Sequence, residues 1–159
     1  MVNTKWLSAE EMAAWRKFVA VVQLLPGALD TQLQRDADLS HFEYFVMAIL
    51  SEAPSRTLRM TSLALETNAT LPRLSHVVAR LEKRGYVKRS PCEEDRRATN
   101  ATLTTSGWEK VVASAPGHVG AVRDAVIDPL DARDIADLDR VMGRMLARLD
   151  TEGRLSASQ

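Results

Sequence analysis

The chain has 159 residues and is 45% hydrophobic, which suffices for one domain with a core. Lys and Arg number 21 and so do Asp and Glu, so any attraction to an anionic partner must come from where the charges sit rather than from their total. A single cysteine excludes a disulfide framework or a cysteine-rich zinc site, and no apolar run approaches the roughly 20 residues of a membrane span, so a cytoplasmic, non-membrane protein is expected.

The first helix is signalled by Ser8 and Glu11 at capping-box spacing, with Met12, Trp15, Val19, Val22, Leu29 and Leu33 on a 3-4 rhythm. Pro26 and Gly27 are expected to kink or interrupt it. A second apolar stripe, Phe18, Val21, Leu25 and Ala28, implies that this helix meets both a core and a partner. A second helix follows from Ser40 and Glu43 and ends before Pro54. Leu58 to Met60 reads as extended, and Thr61 is expected to cap a short helix carrying Leu63 and Ala64. Thr70 caps the next helix, with Pro72 in its first turn, Leu74, Val77, Val78 and Leu81 on the buried face, and Gly85 as its stop.

Beyond Gly85 the period changes to two, giving a hairpin whose polar turn runs from Ser90 to Arg97. Thr104 opens a helical stretch expected to break near Pro116 and Gly117 and to continue to Ile127. Asp131 and Asp134 cap a last helix, on which Ile135, Leu138, Met142, Met145 and Leu149 repeat at 3-4-3-4 spacing. The expected fold class is mainly α with a small β-hairpin wing, a winged helix-turn-helix framed by amino- and carboxy-terminal helices. Residues 37–104 form the winged unit, 1–36 and 105–150 the dimerisation helices, and 151–159 a frayed tail.

Charge then points to a partner. Between Arg56 and Arg97 there are ten Lys and Arg against five Asp and Glu, a basic middle between acidic flanks. On the helix after Thr70, burial of the apolar face leaves Arg73, His76, Arg80 and Lys83 on one stripe, with Thr70 and Ser75 offering hydroxyls. A solvated helix face explains that stripe equally well until the hairpin is considered. A hairpin directly after such a helix lies beside the adjacent minor groove of DNA, where an arginine fits.

Three motifs in order carry a family resemblance: Leu81-Glu82-Lys83-Arg84-Gly85-Tyr86-Val87-Lys88-Arg89, Asp95-Arg96-Arg97-Ala98 and Leu103-Thr104-Thr105-Ser106-Gly107. Together they resemble the MarR family of bacterial transcriptional regulators. Trp6-Leu7-Ser8, Ala14-Trp15-Arg16, Arg73-Leu74-Ser75-His76 and Ala115-Pro116-Gly117-His118-Val119 are similar to a group found in actinobacteria. The resemblance implies a homodimer whose two winged units read half-sites of a pseudo-palindromic double-stranded operator, most simply as a repressor. Carried onto this chain, it implies that Arg73, Ser75 and His76 read bases, that Arg97 enters the minor groove, that Arg96 meets phosphate, and that Asp95 braces the wing by pairing with a cation. It also implies a small aromatic or anionic effector between the dimer helices and the winged unit, for which Trp15, His41 and Phe45 are the residues at hand. Cys92 falls in the hairpin, away from the first helix where relatives sense oxidants, so no redox role is expected.

No nucleophile-base spacing, glycine-rich phosphate loop or HExxH pattern occurs, so no catalytic residue, metal ligand or cofactor is expected. Two alternatives stay open: a metal-sensing regulator of the same fold using His41 and His118, and a winged-helix module that binds protein instead of DNA.

Overall fold

The structure of the chain, a computed structural model, describes residues 4–93, 95 and 97–150. Arg96 and the tail 151–159 lie outside the described residues. Helix α1 (Ala9–Ala37) starts with the reciprocal cap its sequence encodes: Ser8 Oγ accepts from the Glu11 N–H while the Glu11 carboxylate accepts from the Ser8 N–H. The expected break at Pro26 is absent, and the helix runs unbroken for 29 residues. Pro26 faces solvent, and Val22, whose carbonyl loses its donor, is exposed as well, so water can satisfy that carbonyl.

Helix α2 (His41–Glu52) repeats the capping device with Ser40 and Glu43, an arrangement worth about 1 kcal/mol. A short 3-10 turn (Pro54–Arg56), with Ser55 and Arg56 both at positive φ, leads into strand β1 (Thr57–Arg59). Helix α3 (Met60–Glu66) begins earlier than expected: Arg59 occupies the N-cap position without a side-chain capping hydrogen bond, and Thr61 lies inside the helix. Strand pairing sets that boundary. Leu58 pairs with Ala101 and Arg59 with Asn100, so the helix starts where the sheet ends.

Helix α4 (Leu71–Lys83) is capped by Thr70 Oγ1, which accepts from the Arg73 N–H, and the chain reverses at Gly85, whose φ of 76° suits glycine. Strands β2 (Val87–Pro91) and β3 (Thr99–Leu103) form the expected hairpin, and β1 adds to it, giving a sheet of order β1-β3-β2. The expected break at Pro116 in helix α5 (Thr105–Val122) does not occur either. Pro116 and the carbonyl-bearing Val112 one turn earlier are exposed, as at Pro26. The helix widens into a π turn (Arg123–Ile127) before helix α6 (Ala132–Leu149), which Asp131 and Asp134 cap.

Leu33, Leu39, Val46, Met47, Leu50, Leu63, Leu74, Val78 and Leu81 are fully buried and form one core with β3 and the start of α5. Helix α1 contributes only Leu29, Gln32, Leu33 and Ala37 to buried positions, and α6 contributes none. The root of the wing is joined closely to α5. Thr104 Oγ1 donates to the Gly85 and Tyr86 carbonyls and accepts from the Gly107 N–H, and a Cβ on Gly107 would collide with the Tyr86 carbonyl and the Leu103 side chain.

Candidate nucleic-acid interface

Helix α4 buries Leu74, Val77, Val78 and Leu81 as expected. At about 100° per residue, the arc opposite that face is centred on Pro72, His76, Ala79 and Lys83. Arg73 and Arg80 lie toward α2, and Ser75 and Glu82 toward the wing. The Arg73 guanidinium sits 4.3 Å above the Phe42 ring, and Arg80 Nε donates to Glu43 Oε1 at 3.1 Å. Arg84 donates to the Asp38 carbonyl and carboxylate at 2.7 and 3.1 Å. The expected single stripe is therefore divided: Arg73 and Arg80 are held against α2, while His76 and Lys83 face solvent. Glu43 is the cause for Arg80. It is buried as the third residue of α2, and its second oxygen is taken by the Ser40 N–H.

The hairpin is fastened to α4 by Glu82, which accepts from the Arg89 backbone N–H, Nε and Nη2 at 3.1, 3.0 and 2.7 Å. These Arg89 hydrogen bonds hold the Glu82 carboxyl below the usual carboxylate range. At the tip, Asp95 accepts from the Arg97 backbone N–H at 3.0 Å, and the Asp95 carbonyl accepts from the Ala98 N–H at 2.8 Å. Among the described residues the Asp95 carboxylate thus meets a backbone N–H and not the expected side-chain cation. A short aspartate reaches its own turn more readily than a distant cation. Cys92 is buried at the base of this turn. Arg97 is exposed and, with Arg89 and Thr99, lines a cavity of about 200 Å3 whose other wall is Thr61, Leu71 and Ser75. Thr70 is exposed at the end of α4, its oxygen engaged as the cap.

The three residues expected at an effector site are not brought together within one chain. His41 and Phe45 share a face of α2, one turn apart. The His41 ring lies 5.9 Å from His118, which lies 4.6 Å from Tyr44. The His41 N–H donates to Asp30. Trp15 stands fifteen residues before Asp30 on α1, about 22 Å away along the helix, in a groove of about 850 Å3 with Phe18, Val141, Met142, Met145 and Leu149. Burial pushes the His118 and His41 imidazoles down from their ordinary value; His41 adds to the effect on His118, and Asp30 opposes it at His41. His118 Nδ1 and Gln32 Oε1 are buried without a hydrogen-bond partner among the described residues. Phe42, Glu43, Glu82 and Arg89 organise the site but are not among the residues that the sequence assigns to it. A signal existed for two of them: Glu82 and Arg89 are opposite charges inside one motif, on either side of the Gly85 turn.

The MarR family matches residues 39–99, which run from the start of α2 to β3. Sco3205, a MarR family transcriptional regulator from Streptomyces coelicolor solved in complex with DNA, is 46% identical over 92% of this chain and 91% of that one, with a TM-score of 0.86. AbsC, a MarR family regulator from the same organism, is 36% identical over 93% of this chain and 99% of that one, with a TM-score of 0.88. The uncharacterised regulator YfiV of Bacillus subtilis is 33% identical over 65% of this chain. The match spans less than two thirds of the first curated relatives, 63% of YfiV and 42% of PapX from Escherichia coli. With helix α4 and the hairpin in the family's order and a near-full-length relative at this identity, the chain belongs to the MarR family of winged helix-turn-helix transcriptional regulators, which are not enzymes.

Proposed function

We propose that the chain is a cytoplasmic, sequence-specific DNA-binding repressor that reads a pseudo-palindromic operator as a homodimer. One observation carries this reading: α4 and the wing flank a single basic face, with Ser75 of the helix and Arg97 of the hairpin lining the same cavity. A helix with an exposed His76 and Lys83 fits the major groove, and a hairpin ending in an exposed arginine fits the adjacent minor groove. Two relatives of this fold, Sco3205 and a variant of Escherichia coli MarR, were solved with DNA, the second of them similar in fold alone. In this reading Arg73, Ser75 and His76 supply base contacts, Thr70, Arg80, Lys83 and Arg96 supply backbone contacts, and Asp95 shapes the wing.

Self-association is supported by the outer helices. Trp15 is 53% exposed, Leu24 72% and Leu149 79%, and the α1–α6 groove is lined by large apolar side chains that a second copy would cover. Residues 37–104 then read DNA, and 1–36 with 105–150 join the copies. The junction of α1, α2 and α5, where the His41 and His118 rings lie together and Phe45 stands one turn further along α2, is where a small aromatic or anionic effector would act. Selection of bound duplexes from a random pool tests the reading. A two-fold site with half-site centres about 34 Å apart is expected; no enrichment would overturn it.

A further inference from the structure

Arg73, Arg80 and the C-cap residue Arg84 form one row along α4, and each is held by the stretch 38–43, where α1 passes into α2. They are not held alike. Arg84 commits both Nη groups to Asp38, one to its carbonyl and one to its carboxylate, so its end is turned toward α1 and it acts as a pin. Arg80 bonds Glu43 through Nε alone, with neither Nη engaged among the described residues, and its side chain stays 47% exposed. The Arg73 guanidinium lies over the Phe42 ring and meets no carboxylate among the described residues. A cation held over a ring is gripped through its charge and keeps its N–H donors for another partner.

An arginine on an exposed helix face loses rotamer freedom when it binds, and one fixed beforehand loses less. Random DNA is held through phosphate charge, which a mobile guanidinium meets as well as a fixed one. A chosen base sequence needs donors at set positions. Resting on the reading of α4 given above, we propose that Phe42 and Glu43 are positioning residues that set the specificity of α4, by fixing the guanidinium groups of Arg73 and Arg80 before DNA arrives. Glu43 is itself immobile: it is buried in the first turn of α2, with one oxygen taken by the Ser40 N–H and the other by Arg80. Phe42 is half-buried against the core, which holds its ring in place. Neither side chain has to touch DNA for the sequence preference to depend on it.

The test titrates the full chain with the duplex recovered by selection and with a random duplex of equal length, and takes the ratio of the two affinities as the discrimination. Glu43→Gln keeps an acceptor for the Ser40 N–H, as a capping box allows, but withdraws the charge from Arg80. It is expected to lower the ratio by about threefold to tenfold, through weaker binding of the selected duplex with the random one held as tightly or more so. Phe42→Leu should lower the ratio by a similar factor in the parent and leave it unchanged in Arg73→Ala, because the lost contact cannot be lost twice. Phe42→Tyr, which keeps the ring, should retain the parent ratio. A lowered melting temperature with an unchanged ratio in both Glu43→Gln and Phe42→Leu would overturn the proposal, reducing the two side chains to fasteners of α4. Equal tightening on both duplexes by Glu43→Gln would overturn it as well, since its charge would then only neutralise Arg80. Should Glu43→Gln fail to fold, the Phe42 and Arg73 cycle decides alone. Failure of the parent to bind any duplex would sink the DNA-binding reading itself, and this role with it.

Discussion

Helices α4 and α6 carry the same sequence signal and meet opposite fates. Both repeat apolar residues at helical spacing. Helix α4 buries Leu74, Val77, Val78 and Leu81, whereas none of the 18 residues of α6 is buried. Periodicity identifies the apolar face of a helix but not whether the surface that covers it belongs to the same chain. The winged unit supplies most of its own cover, since α2, α3, α4 and β3 enclose the core together with Leu33 and Ala37 of α1, while α6 and the earlier part of α1 leave large apolar side chains exposed.

The difference can be broken from either side. Leu81→Ala, at a fully buried position of the winged unit, is expected to lower stability by about 2–5 kcal/mol in urea unfolding, with the loss independent of protein concentration. Met145→Asp on α6 should leave the far-ultraviolet circular dichroism unchanged but raise the dimer dissociation constant about thirtyfold or more in sedimentation. If Met145→Asp behaves like Leu81→Ala, the outer helix is part of the core fold and the contrast fails.

Local chemistry was legible wherever a side chain acts on its own backbone. The caps at Ser8, Ser40, Thr70, Thr104 and Asp131 and the turn at Gly85 could all be read from spacing. The two prolines were misjudged because spacing does not say which side of a helix faces water, and an exposed carbonyl tolerates the missing donor. Strand β1 as a sheet member, Arg73 over Phe42 and Arg80 against Glu43 were illegible for another reason: they join elements 37 to 45 residues apart in sequence or stack a cation on a ring, and no local pattern encodes them.

Within the basic face of α4 and the wing, proposed to meet DNA, the same contrast sharpens into outward and held side chains. His76→Ala is expected to cost about 1–2 kcal/mol on the selected site and less on random duplex, while Lys83→Ala should weaken both alike and reduce the salt slope by about 1 per protomer. Arg97→Ala should lower specific affinity without moving the melting temperature, because an exposed guanidinium at a turn supports no core. Equal losses for His76→Ala and Lys83→Ala on both duplexes would refute the division.

The smallest expected effect is at the junction of the two regions. His118 and His41 titrate below their ordinary value in the fold, so below about pH 6.5 the unfolded chain binds more protons than the folded one. Stability should therefore be greatest above that pH and fall as pH drops through it toward the folded values. Urea midpoints at pH 7.5 and 5.0 measure this. His118→Gln should reduce the difference, and an unchanged slope would place the titration elsewhere.

The Thr104 hydroxyl and the bare backbone of Gly107 leave the base of the wing no pivot of its own. The hairpin and the first turn of α5 are thus fastened to one another where they meet, like the two arms of a crank, so a side chain introduced at Gly107 should disturb the setting of the wing together with the start of the helix.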